Sequence, residues 1–269
     1  MTERTVHTAP DTAPLERAAQ LVSLIIPVYN EGDHLAEFLR LVDALDLGVA
    51  KELVIIDDCS KDNSVEIIKS FPFTSKVEIL TKSQNEGKGS AIRAGIERAT
   101  GTIIGVQDAD FEYNMKDIPR VIDPILQGQA DVVFGSRYKN STLVHRTFHY
   151  LVNRGLTTLS NLASGLYLSD METCYKFFKA EIIKSMILET NRFGFEPEVT
   201  AKLARLKLRL AEVSIDYFPR NYIEGKKITW RDGIAALGHI VYFNFVTPWQ
   251  RCFRQSLNPK YIPKAQHWL

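Results

Sequence analysis

No long hydrophobic run is found anywhere in this chain of 269 residues. The longest late apolar stretch, Ile234 to Val246, is broken by Gly238, His239 and Asn244. A spanning helix needs about 20 apolar residues, so the expectation is a soluble protein. A secretory h-region is missing too. Residues 1–20 are mostly polar, carry Pro10 and Pro14, and read as a flexible leader. Cysteine is scarce: Cys59, Cys174 and Cys252 are far apart and odd in number. That excludes a disulfide framework and a CxxC metal site, and it suits a reducing cytosol. Neither charge sign dominates, with a net charge of +1. No global field therefore recommends nucleic acid as a partner. The six histidines show no metal-ligand spacing.

What the chain has is alternation. Short apolar runs at Val22–Val28, Glu52–Asp57, Val77–Leu80, Thr102–Val106 and Asp131–Phe134 read as buried strands. Helical patterns lie between them at 33–46, 62–70, 88–99 and 116–127. This order predicts an α/β domain with a mostly parallel central sheet covered on both faces. In the second half, Leu143–Leu166 reads as a helix, Glu196–Leu206 as another and Leu208–Tyr217 as a strand. Pro219–Lys227 is a polar, basic loop and Trp230–Phe245 an apolar helix. Without a repeat or linker, one continuous domain over 21–246 is expected, with 247–269 as a C-terminal tail.

In such sheets, ligands bind beyond the carboxyl ends of the strands, and polar residues cluster there. Tyr29-Asn30-Glu31 follows Pro27, Asp57-Asp58 closes the second strand, and Asn85 to Ser90 opens a helix with two glycines and Lys88. A helix start of that composition can approach phosphate, although the spacing is not that of a P-loop. Most telling is Gly101 to Asn114, an apolar run ending in Asp108, Asp110 and Glu112. If extended geometry persisted, these acids would share a face. Converging oxygens of this kind suit a hard divalent cation and a diphosphate.

Together these segments resemble the family 2 glycosyltransferases with a GT-A fold, closest to the polyprenyl- (dolichyl-) phosphate mannose synthase-like enzymes. Gly135-Ser136-Arg137, Asp170 to Lys176 and Arg220 to Lys227 extend the resemblance, which covers roughly 22–245. It implies a nucleotide-binding half over 21–136 and an acceptor half over 137–246. Pro27, Tyr29, Glu31, Asp57, Asp58, Asn85 and Lys88 would bind a GDP- or UDP-linked sugar donor. Asp108, Asp110 and, with Glu112, a third acid would hold Mg2+ or Mn2+. Arg137 and Arg154 would face an anionic acceptor, and Arg220 and Lys227 would close over the diphosphate. The mannose synthases often carry Gln where this chain has Glu112.

The implied reaction is an inverting transfer of a sugar to a polyprenyl phosphate at the membrane surface, by a cytoplasmic, peripheral protein. The apolar helix 234–246, with Trp249, Arg251 and Arg254 beyond it, either lies in the lipid interface or is simply a buried domain helix. A membrane-protein partner would also fit. A phosphate acceptor needs no general base. A sugar-hydroxyl acceptor does, with Glu196 as first candidate, Glu198 second and Asp170 third. That soluble, hydroxyl-directed transferase is the main alternative. A nucleotidyltransferase and a non-catalytic nucleotide-sugar-binding protein are the others.

Overall fold

The computed structural model describes residues 19–139, 147–218 and 230–263. A seven-stranded sheet in the order β3-β2-β1-β4-β6-β5-β7 forms its centre. Its first half runs β1 (Leu21–Val28), α1 (Gly32–Ala44), β2 (Ala50–Asp57), α2 (Ser64–Ser70), β3 (Lys76–Thr81), α3 (Lys88–Arg98), β4 (Ile103–Val106), α4 (Ile118–Leu126) and β5 (Val132–Ser136). The second half continues with α5 (Thr147–Ser164), β6 (Lys176–Lys179), α6 (Ala180–Ile183), α7 (Phe195–Ala204), β7 (Leu210–Ser214) and α8 (Trp230–Val241). A π-helical turn, Tyr242–Val246, extends α8.

The strands are apolar on both sides because helices cover both faces. In β1, Ile25 joins the core beneath α3 and α7, while Leu24 and Ile26 join the core beneath α1 and α4. All strand pairs are parallel except those of β6, which runs antiparallel between β4 and β5. No pattern in the chain announces β6. It is four residues long, with lysine at each end, too short for a period to register. Its close packing needs Gly105, whose Cβ would stand 2.1 Å from the Phe177 ring.

At the edge of the sheet opposite the expected ligand side, buried carboxylates are fully used. Glu52 accepts from Ser23 Oγ at 2.6 Å, Thr100 N at 2.5 Å and Thr100 Oγ1 at 2.7 Å, and pairs with Lys76 at 2.7 Å. Burial works to raise its pKa, but Lys76 and these hydrogen bonds hold it at about 2. This edge is closed structure.

The segment 247–269, expected as a tail, is core in its described part. Cys252, Phe253, Leu257 and Tyr261 are buried. Ile187 N donates to Cys252 O at 2.9 Å, Arg254 N to Ser185 O at 2.7 Å and Lys207 N to Tyr261 O at 2.8 Å. The domain therefore runs past residue 246.

Candidate active site

β1 pairs with β2 on one side and β4 on the other, so successive crossovers leave β1 in opposite directions. That reversal opens a crevice at the carboxyl ends, where open α/β sheets take ligands. Pro27 widens it. Pairing to β4 stops at Ile25–Val106, with Gln107 N donating to Ile25 O at 2.9 Å. Lacking an N–H, Pro27 offers β4 no further bond, whereas pairing with β2 continues to Val28–Asp57. Among the described residues, the only non-glycine positions with positive φ are Asn30 (51°), Cys59 (63°) and Phe111 (57°). They lie just beyond β1, β2 and β4 respectively, and such strain gathers where the fold positions functional groups.

The first two loops are tied to each other. Asn30 N donates to Ser60 Oγ at 3.0 Å, Lys61 N to Asn30 Oδ1 at 2.7 Å and Glu31 N to Ser64 Oγ at 3.0 Å. Asp62 accepts from Gly32 N at 2.9 Å and from Ser64 N at 3.0 Å, so it serves the start of α1 as well as that of α2. Glu31 is buried, with an oxygen 3.0 Å from His34 Nε2. Tyr29 is half-buried beside it.

Asp57 and Asp58 are neighbours in sequence but differ in kind. Asp58 spends both oxygens inside the protein, accepting from Lys82 Nζ at 2.7 Å, Glu86 N at 3.2 Å and Gly87 N at 2.6 Å. Lys82, which the sequence did not single out, joins that loop to Asp58, Glu86 and Ser90. Asp57 is completely buried. Its Oδ2 accepts from Ser60 N at 3.2 Å, and its Oδ1 has no hydrogen-bond partner among the described residues. A buried carboxylate oxygen left open is costly. The site therefore keeps an acceptor ready for an incoming N–H or O–H.

The glycines that open α3 serve backbone contact. Gly89 N donates to Arg192 O at 3.2 Å and Ser90 N to Asn191 O at 3.0 Å. A Cβ on Gly87 would meet Asn191 O at 2.7 Å, and one on Gly89 would meet Thr190 O at 2.6 Å. The expected phosphate cradle is thus partly filled by the 190–192 segment, and Asn85 stays exposed. Lys88 turns into the crevice. Its Nζ lies 2.8 Å from Asp108 Oδ2 and 3.7 Å from Glu196 Oε1. Burial alone would lower its pKa, but Asp108 and Glu196 outweigh burial and keep it charged.

The expected three-acid face does not form, because extended geometry ends at Val106. The chain then turns, and Phe111 takes up its left-handed conformation. Asp110 Oδ1 accepts from Glu112 N at 3.1 Å, while Glu112 Oε2 accepts from Tyr217 Oη at 2.9 Å. Among the described residues, no group of three or more His, Cys, Asp or Glu converges as a metal centre. Asp108 and Asp110 both lie in the turn beyond the carboxyl end of β4. Gln107 donates from Nε2 to Asp108 O at 2.8 Å, fixing that peptide.

Of the proposed bases, Glu196 is buried with its Oε1 3.7 Å from Lys88 Nζ, while the other two are more tightly committed within the protein. Glu198 accepts from Glu189 N at 2.8 Å, Thr190 N at 2.9 Å, Thr190 Oγ1 at 2.6 Å and Lys202 Nζ at 2.6 Å. Asp170 is wholly buried and takes the Arg137 guanidinium in a fork, Nε at 2.7 Å and Nη2 at 2.8 Å. Arg137, expected at the acceptor, is thereby bound into the protein. Arg154 is exposed on α5, with Nη1 donating to Ser169 O at 3.2 Å. Arg220 and Lys227 lie outside the described residues.

Glu172 lies within the Asp170 to Lys176 segment that carries the resemblance, but the sequence assigned it no role. Its Oε1 is shut off from solvent and has no partner among the described residues. Burial, reinforced by the charge of Glu196, pushes its carboxyl up to about 7.

A family model described as Glycosyl transferase family 2 matches residues 23–187, more than half the chain and every strand that frames the crevice except β7. The chain belongs to glycosyl transferase family 2. It is 30% identical over 211 residues to an undecaprenyl-phosphate 4-deoxy-4-formamido-L-arabinose transferase of Aeromonas hydrophila, covering 77% of this chain and 63% of that enzyme. A dolichol-phosphate mannosyltransferase of Pyrococcus furiosus is 29% identical over 179 residues, 65% of this chain and 50% of its own. The chain thus spans less than two thirds of these two relatives. Among solved structures, glucosyl-3-phosphoglycerate synthase of Mycobacterium tuberculosis, in complex with Mn2+, UDP and its product, superposes with a TM-score of 0.63. Identity there is 19%, over 91% of this chain and 88% of that one. That likeness establishes the GT-A fold for this family 2 member.

Proposed function

We propose that this family 2 glycosyltransferase moves a sugar from a nucleoside diphosphate donor to a polyprenyl phosphate at a membrane surface. The observation that carries the reading is the row Asp108–Lys88–Glu196, which joins a carboxylate just beyond β4 to the start of α7 through one half-buried cation. Asp57, with its open Oδ1, is the acceptor for a base N–H of the donor. An all-oxygen pair of carboxylates matches what Mg2+ or Mn2+ takes from a protein when phosphates complete its shell. Asp108 and Asp110 are the residues that would hold it. A divalent cation bound there offsets negative charge on the departing diphosphate. Lys88 adds a fixed positive charge at the same place, and such preorganised charge is a large catalytic term. An acceptor phosphate oxygen attacks the anomeric carbon as the bond to the diphosphate breaks, with inversion and without a general base. Relatives named for undecaprenyl and dolichyl phosphate support this acceptor. The test is a melting-temperature panel of UDP- and GDP-sugars with and without Mn2+, followed by transfer to a short polyprenyl phosphate. A preferred donor should raise the melting temperature with its concentration, as ligand binding to the folded state requires. Water-soluble product without lipid-linked product would sink the acceptor assignment.

No helix of the described residues is long and apolar enough to cross a membrane. We place the lipid contact instead on α5 and α8, which pack side by side. Their exposed side chains include Leu151, Val152, Leu159 and Leu162 (78% exposed) on α5, beside Arg154 and Thr158, and Ile234, Leu237, Val241 and Phe245 (69% exposed) on α8 and its π turn. Trp249 packs against Phe253 instead, and Arg251 pairs with Glu189, so neither belongs to that face. Burying each such side chain in lipid contributes roughly 1.5–3 kcal/mol. Replacing Leu162 and Phe245 by Asp should lower flotation with lipid vesicles at least tenfold and leave melting unchanged. Undiminished flotation would overturn the assignment.

A further inference from the structure

The turn that carries Asp108 and Asp110 leaves β4 without a ladder to hold it, because the strand ends at Val106. Phe111, in its left-handed conformation, adds a strain that persists only where the surroundings over-determine it. Two sets of contacts do so. On one side the Phe111 ring lies 5.8 Å from that of His34 and 5.7 Å from that of Phe38, both on α1. On the other side the turn is joined to the chain leaving β7, although β6 and β5 stand between β4 and β7 in the sheet. Tyr113 bridges to Tyr217, and Phe218 N donates to Glu112 O at 2.8 Å. Tyr217 Oη donates to Glu112 Oε2 at 2.9 Å, and Glu112 N donates to Asp110 Oδ1 at 3.1 Å.

Tyr217 is itself held. Its ring centroid lies 5.1 Å from Arg137 Cζ and 5.3 Å from the ring of Tyr113. Arg137 in turn is forked onto the buried Asp170. A line of contacts thus runs from Asp170 through Arg137, Tyr217 and Glu112 to Asp110. We propose that Glu112 is a positioning residue: clasped by Tyr217, it presents its N–H to Asp110 and fixes that carboxylate for the divalent cation. This rests on the donor reading above, and it replaces the ligand role that the sequence suggested for Glu112. Hydrogen bonds to a carboxylate are among the stronger kinds. Partners that orient a ligating carboxylate govern how well it holds its metal.

The experiment compares wild type with Tyr217→Phe, Glu112→Ala, Glu112→Gln and the double variant Tyr217→Phe/Glu112→Ala. Tyr217→Phe keeps the ring under Arg137 and removes only the hydroxyl, while Gln keeps an acceptor for it. Three quantities are read: melting temperature, hydrogen exchange of the peptide 108–114, and Mn2+ affinity in the presence of UDP or GDP. Tyr217→Phe and Glu112→Ala should each loosen exchange in that peptide and weaken Mn2+ binding roughly tenfold. Melting temperature should stay within a few degrees of wild type. The double variant should be no worse than either single one, since all three break the same contact. Glu112→Gln should bind Mn2+ nearly as wild type does. Unchanged exchange in Tyr217→Phe, or loosened exchange with unchanged Mn2+ affinity, overturns the proposal. So does a Glu112→Gln protein as weak as Glu112→Ala, which would make the carboxylate a direct ligand. If wild type binds no Mn2+ with either nucleotide while the turn loosens in both single variants, the donor reading fails and the clasp on the turn stands.

Discussion

Asp110→Ala is expected to reduce sugar transfer by on the order of 1,000-fold while the protein melts as wild type does. Asp110 is half-buried at the mouth of the crevice, and the hydrogen bond it accepts from Glu112 N lies within its own turn. Asp108 would remain, but it already shares its charge with Lys88. One carboxylate so engaged is a poor hold for a divalent ion. The measurement is turnover against Mn2+ concentration, with circular dichroism as the control for folding. Turnover like that of wild type would remove Asp110 from the machinery and with it the metal assignment.

Glu198→Ala should have the opposite profile, a large loss of stability whatever the substrate. Glu198 and Lys202 are both fully buried and 2.6 Å apart. Removing the acid strands an ammonium in the core, which costs about 3–5 kcal/mol, or roughly 10 °C of melting temperature at this size. It also unties Glu189 and Thr190, whose backbone N–H groups Glu198 receives. Adding Lys202→Met should restore part of the loss. Glu196→Gln, two residues away, should melt near wild type. If it also transfers sugar well, the acceptor is a phosphate; if transfer collapses, the acceptor is a hydroxyl and Glu196 its base. A stable Glu198→Ala protein would contradict the buried pair.

Much of the fold could be read from the chain. Buried parallel strands are written as unbroken apolar runs such as Val54-Ile55-Ile56, and the helices between them are amphipathic. β6 could not be read, because Lys176 looks like a surface residue until folding supplies the carbonyls of Met171 and Thr173. Acids at the carboxyl ends were equally visible, but not which of their oxygens folding would consume. Asp57 and Asp58 are alike on paper. Only packing shows that Asp58 is spent on the Glu86–Gly87 loop while Asp57 keeps an oxygen open. The same holds for Asp170 and Glu198, committed to Arg137 and Lys202, against Glu172, committed to neither cation. Glu112 was placed with its neighbours by assuming a straight chain, and the turn at Phe111 sends it to Tyr217 instead.

Arg205 reaches from the end of α7 to the carbonyls of Phe243, Asn244 and Thr247, at 2.7 Å, 3.0 Å and 2.7 Å. It therefore rivets the π turn beyond α8 to the same helix that carries Glu196 in its first turn. A bilayer gripping α8 would hold the catalytic mouth at a set height and tilt above the headgroups, like an instrument bolted to its stand. If the proposed acceptor is right, its phosphate would have to rise to meet the sugar by a distance that the packing of α7 against α8 sets.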